Sequence, residues 1–397
     1  MNGAHDGLPP LDPRCRISVC IPARNEAASI GPTLAALLAQ RDAANRLFAR
    51  ERFEVIVLAN NCSDATADVV RRSAAASGPR IVVVERFFDA PRAHIGTARK
   101  DVLDLAAARA LAANRPDGIV ASLDADTTPG ENWLAAIEAE MAGCDAVAGH
   151  VTLAQADRER LFAPLRLLYD RELAYRRIFA DVESLIDPVS HDPAPRHASF
   201  VGASFAVTAA TYRRAGGIPP LPRLEDLNFA HALARIDARV RHSPLVRAAT
   251  SARRTPRVAG GFGTFIADLG ERAQRGESFA VEHPRRSLML FELRAALRRI
   301  RTGHHRPSDL AQVSAIVGDG PRRWLPAVER CTTLGLLVEE FARRAARRGP
   351  VYSDVPVEVA IEALRAAAVR ASVQAGNHAS CSNAARPMRS SAASGAG

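Results

Sequence analysis

Short, almost wholly apolar runs alternate with helical patterns from Arg16 onward, and each run ends in a polar turn. Ile17–Ile21, Phe53–Leu58, Arg80–Val84 and Gly118–Leu123 read as strands. About Ala27–Leu38, Ala65–Ala75 and Thr97–Ala113 read as the helices between them. Strands apolar along their whole length need cover on both faces, and a βαβα order supplies helices to cover them, so a parallel sheet is expected. In open sheets of this kind ligands sit beyond the carboxyl ends of the strands. Chemistry is therefore sought in three polar turns: Pro22-Ala23-Arg24-Asn25-Glu26, Asn60-Asn61-Cys62-Ser63-Asp64 and Asp124-Ala125-Asp126-Thr127-Thr128-Pro129.

The rest of the chain is less regular. Residues 1–15 carry three prolines and no apolar period, and read as a flexible leader. A helix around Leu161–Asp181 precedes a Pro/His/Asp-rich loop at Asp187–His197, of a length that is uncommon unless functional or mobile. Two ordered blocks, Phe200–Thr208 and Thr211–Gly217, lead to Glu225-Asp226 and a helix at about Leu227–Ile236. Beyond Gly260-Gly261 the pattern is mainly helical, through Phe291–Ile300, Leu325–Ala346 and Val357–Val373. The Ser/Ala/Asn-rich tail at 376–397 is expected to be disordered.

Composition narrows the function classes. With 47% hydrophobic and 24% charged residues, 397 residues can bury a sizeable core. The net charge of +10 suits an anionic partner, whether nucleic acid, membrane or phosphorylated substrate, and does not choose among them. Lys100 is the only lysine, so the positive charge is nearly all arginine, as a coding bias would also produce. The six cysteines show neither a CxxC pair nor a regular spacing, so no disulfide framework or zinc site is expected. No stretch approaches the roughly 18–20 apolar residues of a membrane span, so the cytoplasm is the default compartment.

The strongest constellation is Asp124-Ala125-Asp126. Two carboxylates at the end of a buried strand call for a counter-charge. A hard divalent cation, Mg²⁺ or Mn²⁺, would supply it, taking one or two carboxylates and leaving positions for phosphate oxygens. The alternative is that the aspartates only form a turn or cap the next helix.

The order of motifs resembles a family 2 glycosyltransferase of the GT-A fold. Ile17–Glu26 is similar to that family's opening strand and Pro-x-x-Asn-Glu turn, and Glu54–Thr66 to its second strand and turn. His94-Ile95-Gly96-Thr97-Ala98-Arg99 looks like the segment that opens the helix before the DxD strand. The resemblance covers about residues 16–265. It implies a mostly parallel α/β sheet flanked by helices, with residues 16–150 as a nucleotide-sugar-binding half and 151–265 as an acceptor-side half. A helical C-terminal region at 266–375 lies outside it.

The resemblance also implies roles. Pro22, Ala23, Arg24 and Glu26 would line the nucleotide pocket with Asn60 nearby, Asp64 would cap the following helix, and Arg99 would face the donor. Asp126 would be the principal metal ligand, and Asp124 would contact ribose or metal. Many members have Asp where this chain has Ala59 or Asn60, which leaves the base unspecified. Gly202–Thr208, Gly216-Gly217 and Leu224-Glu225-Asp226-Leu227 resemble the acceptor-side block. An inverting transfer to a hydroxyl needs a base, for which Asp226 is the first candidate and Glu225 the second. The same two acids could simply start a helix, where the dipole favours them.

His242 and the run containing Arg253 and Arg254 resemble the donor-side closing loop, where a histidine would complete the metal shell and arginines would neutralise the leaving diphosphate. His242 as a surface histidine and the arginines as a solvated face are the plain readings. His191 and His197 could touch an acceptor. Arginine clusters at Arg298, Arg299, Arg301 and at Arg343, Arg344, Arg347, Arg348 suit either a solvated helix face or peripheral contact with an anionic membrane, at its inner face.

Two other functions fit less well. A sugar-phosphate nucleotidyltransferase would carry a glycine-rich loop where this chain has Pro22–Glu26. A non-catalytic nucleotide- or nucleic-acid-binding protein is the alternative of another class. Aromatics make up only 5% of the residues, few for a base-stacking surface, so no nucleic-acid partner is expected.

Overall fold

The four apolar runs lie side by side as parallel strands of one sheet. The computed structural model describes residues 8–77, 80–251, 261–348 and 352–384. In chain order they form β1 (Ile17–Ala23), α1 (Ile30–Leu38), β2 (Phe53–Asn60), α2 (Thr66–Ser77), β3 (Arg80–Arg86), α3 (Ile95–Ala112), β4 (Ile119–Leu123) and β5 (Thr127–Pro129). Next come α4 (Trp133–Glu140), β6 (Ala146–Leu153), α5 (Gln155–Glu159), α6 (Ala163–Ile186), β7 (Ser204–Thr208), α7 (Ala209–Arg214), α8 (Glu225–Arg235) and β8 (Val240–Thr250). The C-terminal region holds α9 (Phe262–Arg275), β9 (Ala280–Val281), α10 (Pro284–Arg301), α11 (Pro307–Val317), α12 (Pro321–Arg330), α13 (Leu334–Arg348), β10 (Val355–Pro356) and α14 (Val357–Ala384).

Strand alternation explains the two-sided cover. Ile17, Val19, Ile21, Val55 and Val57 face one layer, with Leu34 of α1 and Trp133 and Ile137 of α4. Cys20, Ile56, Leu58 and Val120 face the other, with Val102 and Leu103 of α3 and Phe229 and Leu233 of α8. Each such fully buried side chain contributes about 1.5–3 kcal/mol, so both helical layers are held by the same few strands.

The sheet order is β3-β2-β1-β4-β7-β6-β8-β5. Two strands depart from a parallel arrangement: β7 is antiparallel to β4 and β6, and β5 is antiparallel to β8. The reason for β7 is its approach. The loop after α6 delivers the chain to the carboxyl edge of β4, at Gly202, so the next strand enters from that edge and runs backward.

Several expectations at the periphery are corrected. The stretch from residue 8 to 15 packs against the protein: Leu8 lies on the α3 layer, and Arg109 Nη1 and Arg115 Nη1 donate to the carbonyls of Pro9 and Pro13 at 3.0 and 2.7 Å. The 325–346 stretch is two helices, broken where Arg301 donates to the carbonyls of Cys331 and Thr332. Helix α14 continues to Ala384, beyond the expected start of the tail.

The arginine clusters are partly engaged within the protein. Arg298 pairs with Asp187 and Arg299 with Asp309, while Arg344 pairs with Glu340 and lies over Phe341. That pairs three of the seven charges the membrane reading relied on. Among the described residues, no helix is long and apolar enough to cross a membrane.

Candidate active site

The site begins where β4 leaves the sheet. Leu123 is fully buried, and the chain turns at once, Thr127 N–H donating to the Asp124 carbonyl at 3.1 Å. Both aspartates are therefore set at the carboxyl edge, half-buried. Neither caps the next helix, because α4 begins at Trp133 and its N-cap position is Asn132, which makes no side-chain cap. The Asp124 carboxylate accepts from Arg99 Nη2 at 2.9 Å, and that of Asp126 from Ser251 Oγ at 3.2 Å.

Arg99 is the hub. It rises from the first turns of α3 and is only 3% exposed. Besides Asp124 it donates from Nε to Glu225 Oε1 at 3.1 Å, and from Nη1 to Ser122 Oγ at 2.9 Å and the Gly202 carbonyl at 2.8 Å. Burial works against its charge, yet Asp124, Glu225 and Asp226 together outweigh that and hold the guanidinium above its ordinary pKa. A planar fork with five N–H groups can serve partners on three sides, which an ammonium cannot reproduce.

The acceptor-side block joins here. Gly216 and Gly217 take φ of 84° and 74°, reversing the chain after α7. Leu224 then adopts a left-handed φ of 55°, unusual for a bulky residue, and launches α8. Glu225 is buried against Arg99. Asp226 is half-buried, accepting the Gly202 N–H at Oδ2 and the Leu227 N–H at Oδ1, both 2.8 Å. The two acids thus differ: Glu225 is occupied in an internal ion pair, and Asp226 retains access to solvent.

The nucleotide-side residues fall along the same edge. Pro22 and Ala23 are buried at the end of β1. Arg24 is exposed and donates to the Ala93 carbonyl at 2.7 Å. Glu26 is buried, accepts from Ser29 Oγ, and donates its N–H to Thr66 Oγ1 at 2.7 Å. Asp64 caps as expected, accepting from the Thr66 and Ala27 N–H groups, both at 3.0 Å. Asn60 is buried at the end of β2, and its Oδ1 has no hydrogen-bond partner among the described residues.

The structure does not bring His242 to the aspartates. It sits opposite Ala148, whereas Thr250, next to the β5 turn, sits opposite Leu153. Five residues of β6 separate the two levels, roughly 17 Å, far beyond a metal–ligand bond. His242 Nδ1 instead lies 2.8 Å from Asp192 Oδ2. Arg253 and Arg254 lie outside the described residues.

The long polar loop is pinned. Asp192 also accepts from Arg241 Nη1 at 3.1 Å and from the His242 N–H at 2.8 Å, and Arg196 Nη1 donates to Glu183 Oε2 at 2.8 Å. His197 packs between His150, tilted against it, and His242, edge-on to it, and lies 3.2 Å through Nε2 from the Ala148 carbonyl. His191 lies elsewhere, bordering a cleft of about 620 Å³ with Glu140, Cys144, Arg239 and Arg241 at the amino edge, away from Asp124.

Sequence reasoning gave no role to Ser122 or Ser251, both of which touch this site. The signal for Ser122 was a hydroxyl in an otherwise apolar strand. Gly202, in the stretch that resembles the acceptor-side block, is a connector through both its carbonyl and its N–H.

The donor set suits a hard cation. Asp124 and Asp126 offer oxygens only, and no group of three or more His, Cys, Asp or Glu converges among the described residues. Two carboxylates with open positions are the ligand set that Mg²⁺ or Mn²⁺ takes when a diphosphate completes its shell.

Residues 18–191 match the family model described as glycosyl transferase family 2. A search of curated proteins finds no match. Similar solved structures include the mannosyltransferase PcManGT from Pyrobaculum calidifontis with GDP-Man and Mn²⁺, at 18% identity over 92% of this chain and 88% of that one, TM-score 0.42. S. aureus TarS 1–349 with UDP-GlcNAc is 13% identical over 85% and 93%, TM-score 0.43. Glucosyl-3-phosphoglycerate synthase from Mycobacterium tuberculosis with phosphoglyceric acid is 17% identical over 70% and 80%, TM-score 0.36. At such TM-scores these likenesses add nothing to the family match.

Proposed function

Residues 18–191 belong to glycosyl transferase family 2, and from that premise we propose that the protein moves a sugar from a nucleoside-diphosphate donor to an acceptor hydroxyl with inversion. One observation carries the reading: Arg99 ties Asp124, at the end of β4, to Glu225, the residue before Asp226, so two acidic motifs a hundred residues apart meet in one place.

In this reading Asp126 and Asp124 would hold Mg²⁺ or Mn²⁺, which would supply positive charge for the diphosphate leaving group. The carboxyl ends of β1 and β2 form the nucleotide side. The unpartnered Oδ1 of Asn60 offers an acceptor to a nucleobase N–H. Asp226 takes the proton of the attacking hydroxyl. The Gly202 N–H fixes one carboxylate oxygen of Asp226, leaving lone-pair capacity for that proton. Glu225 positions rather than reacts, since Arg99 occupies it. Asp226 lies beyond the matched residues, and its role rests on geometry. His242 is not included. The same reading places the reaction in the cytoplasm. Neither a nucleotidyltransferase nor a nucleic-acid-binding role gains support from the family match.

The test is Asp126→Ala alongside Asp226→Asn, screened with UDP- and GDP-sugars with and without Mn²⁺. Asp126→Ala is expected to abolish metal-dependent donor turnover without unfolding, and Asp226→Asn to lower turnover while nucleotide binding persists. Wild-type turnover in Asp126→Ala would overturn the assignment.

A further inference from the structure

The C-terminal helices lie outside the family match, yet they grip the two elements that build the acceptor side. The first grip is on the far end of α8. Gly335 of α13 crosses Ala234 so closely that a Cβ there would stand 1.8 Å from the Ala234 carbonyl oxygen. Asp237 accepts from the N–H groups of Leu334 and Gly335, both at 2.8 Å, and so caps α13 from the catalytic domain. Thr333 Oγ1 donates to the Arg235 carbonyl at 2.7 Å, and Arg235 Nε to Glu339 Oε2 at 2.6 Å.

The second grip is on the start of the loop that ends at Gly202. Asp187 is only 2% exposed and pairs with both Arg294 and Arg298 of α10. Arg294 Nη2 also donates to Glu183 Oε1 at 2.7 Å, and the other oxygen of Glu183 accepts from Arg196, further along the same loop.

These grips share one body. α10 and α13 pack through a single core containing Leu297, Trp324 and Phe341. Helix α8 has eleven residues, a rod of about 16 Å. One end of it is fixed by α13, and the other presents Asp226 to the Gly202 N–H. Both partners of that hydrogen bond are thus referenced to the same helical body.

We propose that the C-terminal helical region is a positioning brace, which sets Asp226 against Gly202 through Gly335 and Asp237 on one side and Asp187 on the other. The inference rests on the proposed role of Asp226 as base. A brace acts on turnover and leaves the nucleotide side alone, since neither grip touches β1, β2 or the 124–126 turn.

The experiment uses the full chain with Gly335→Ala, the milder Asp237→Asn, which keeps one acceptor oxygen, and Asp226→Asn. Each is assayed for Mn²⁺-dependent hydrolysis of the donor that turns over in the wild type, and for UDP or GDP binding, below its melting temperature. Gly335→Ala is expected to lower kcat by about 10- to 100-fold, as a misplacement near 1 Å does. Asp237→Asn should fall between it and wild type, both with nucleotide affinity unchanged within about twofold. Wild-type kcat in folded Gly335→Ala or Asp237→Asn overturns the brace. So does a parallel loss of nucleotide binding, the mark of general destabilisation. Should Asp226→Asn turn over normally, the base assignment fails, and a kcat loss confined to the other two variants would still support a brace acting on the acceptor side.

Discussion

Gly202→Ala tests the hub directly. Gly202 is not among the glycines with positive φ, so alanine meets no backbone objection there, and the constraint is space alone. A Cβ would lie 2.6 Å from Arg99 Cζ against the 3.4 Å where ordinary contact begins, about 0.8 Å too close. Arg99 cannot swing aside, because it donates to Ser122, Asp124, Glu225 and the Gly202 carbonyl itself. Either the guanidinium gives up a charge-assisted bond or the loop retreats and draws the Gly202 N–H from Asp226. The first costs about 1.5–3 kcal/mol, roughly 2–4 °C in Tm for a protein of this size. The second misplaces the base and costs roughly 10- to 100-fold in kcat. Thermal denaturation and donor turnover read the two separately. A variant with Tm unchanged within about 1 °C and wild-type turnover would refute the account of Arg99 as an immobile, fully engaged hub.

Two further variants separate stability from chemistry. His197 has its pKa pushed down to about 3, by burial first and then by His242 and His150, so the folded protein holds it neutral. The unfolded chain binds its proton below about pH 6.5, so this stabilisation is complete above that pH and is lost progressively down to about pH 3, by up to ~1.4 kcal/mol per unit. His197→Gln, which keeps a donor for the Ala148 carbonyl, should flatten Tm against pH between 6.5 and 4 relative to wild type; parallel curves would contradict it. Arg109→Met leaves Glu54, 2% exposed and among the described residues otherwise bonded to Ser18 alone, as an unpaired charge at the amino edge. A loss of about 3–5 kcal/mol is expected, with nucleotide binding intact at low temperature, and an unchanged denaturant midpoint would count against it.

What the sequence made legible follows from range. The strands, the 124–126 turn and the Asp64 cap are local: an apolar run, a turn composition and a two-residue hydrogen bond leave marks within a few positions. The reversed direction of β7 depends on which edge a seventeen-residue connection arrives at, and no window of sequence records that. His242 was placed by motif order, but strand register set it opposite Ala148 and some five residues of β6 from the site. Glu225 and Asp226 are adjacent and chemically alike, and only the helical turn of α8 sends one inward to Arg99 and the other to the rim. The C-terminal arginines looked like surface because their partners, Asp187 and Asp309, are ordinary acids until folding brings them together.

The guanidinium of Arg99 has five N–H groups, and four are bound to fixed partners. That leaves little room for independent drift. Asp124 and Glu225, 101 residues apart in sequence, share the charge of Arg99, so a change at either acid alters how the guanidinium serves the other. Among diverging descendants of this gene, Arg99, Asp124 and Glu225 should be inherited as a unit, replaced together or kept together, while the exposed Leu227 close by varies freely.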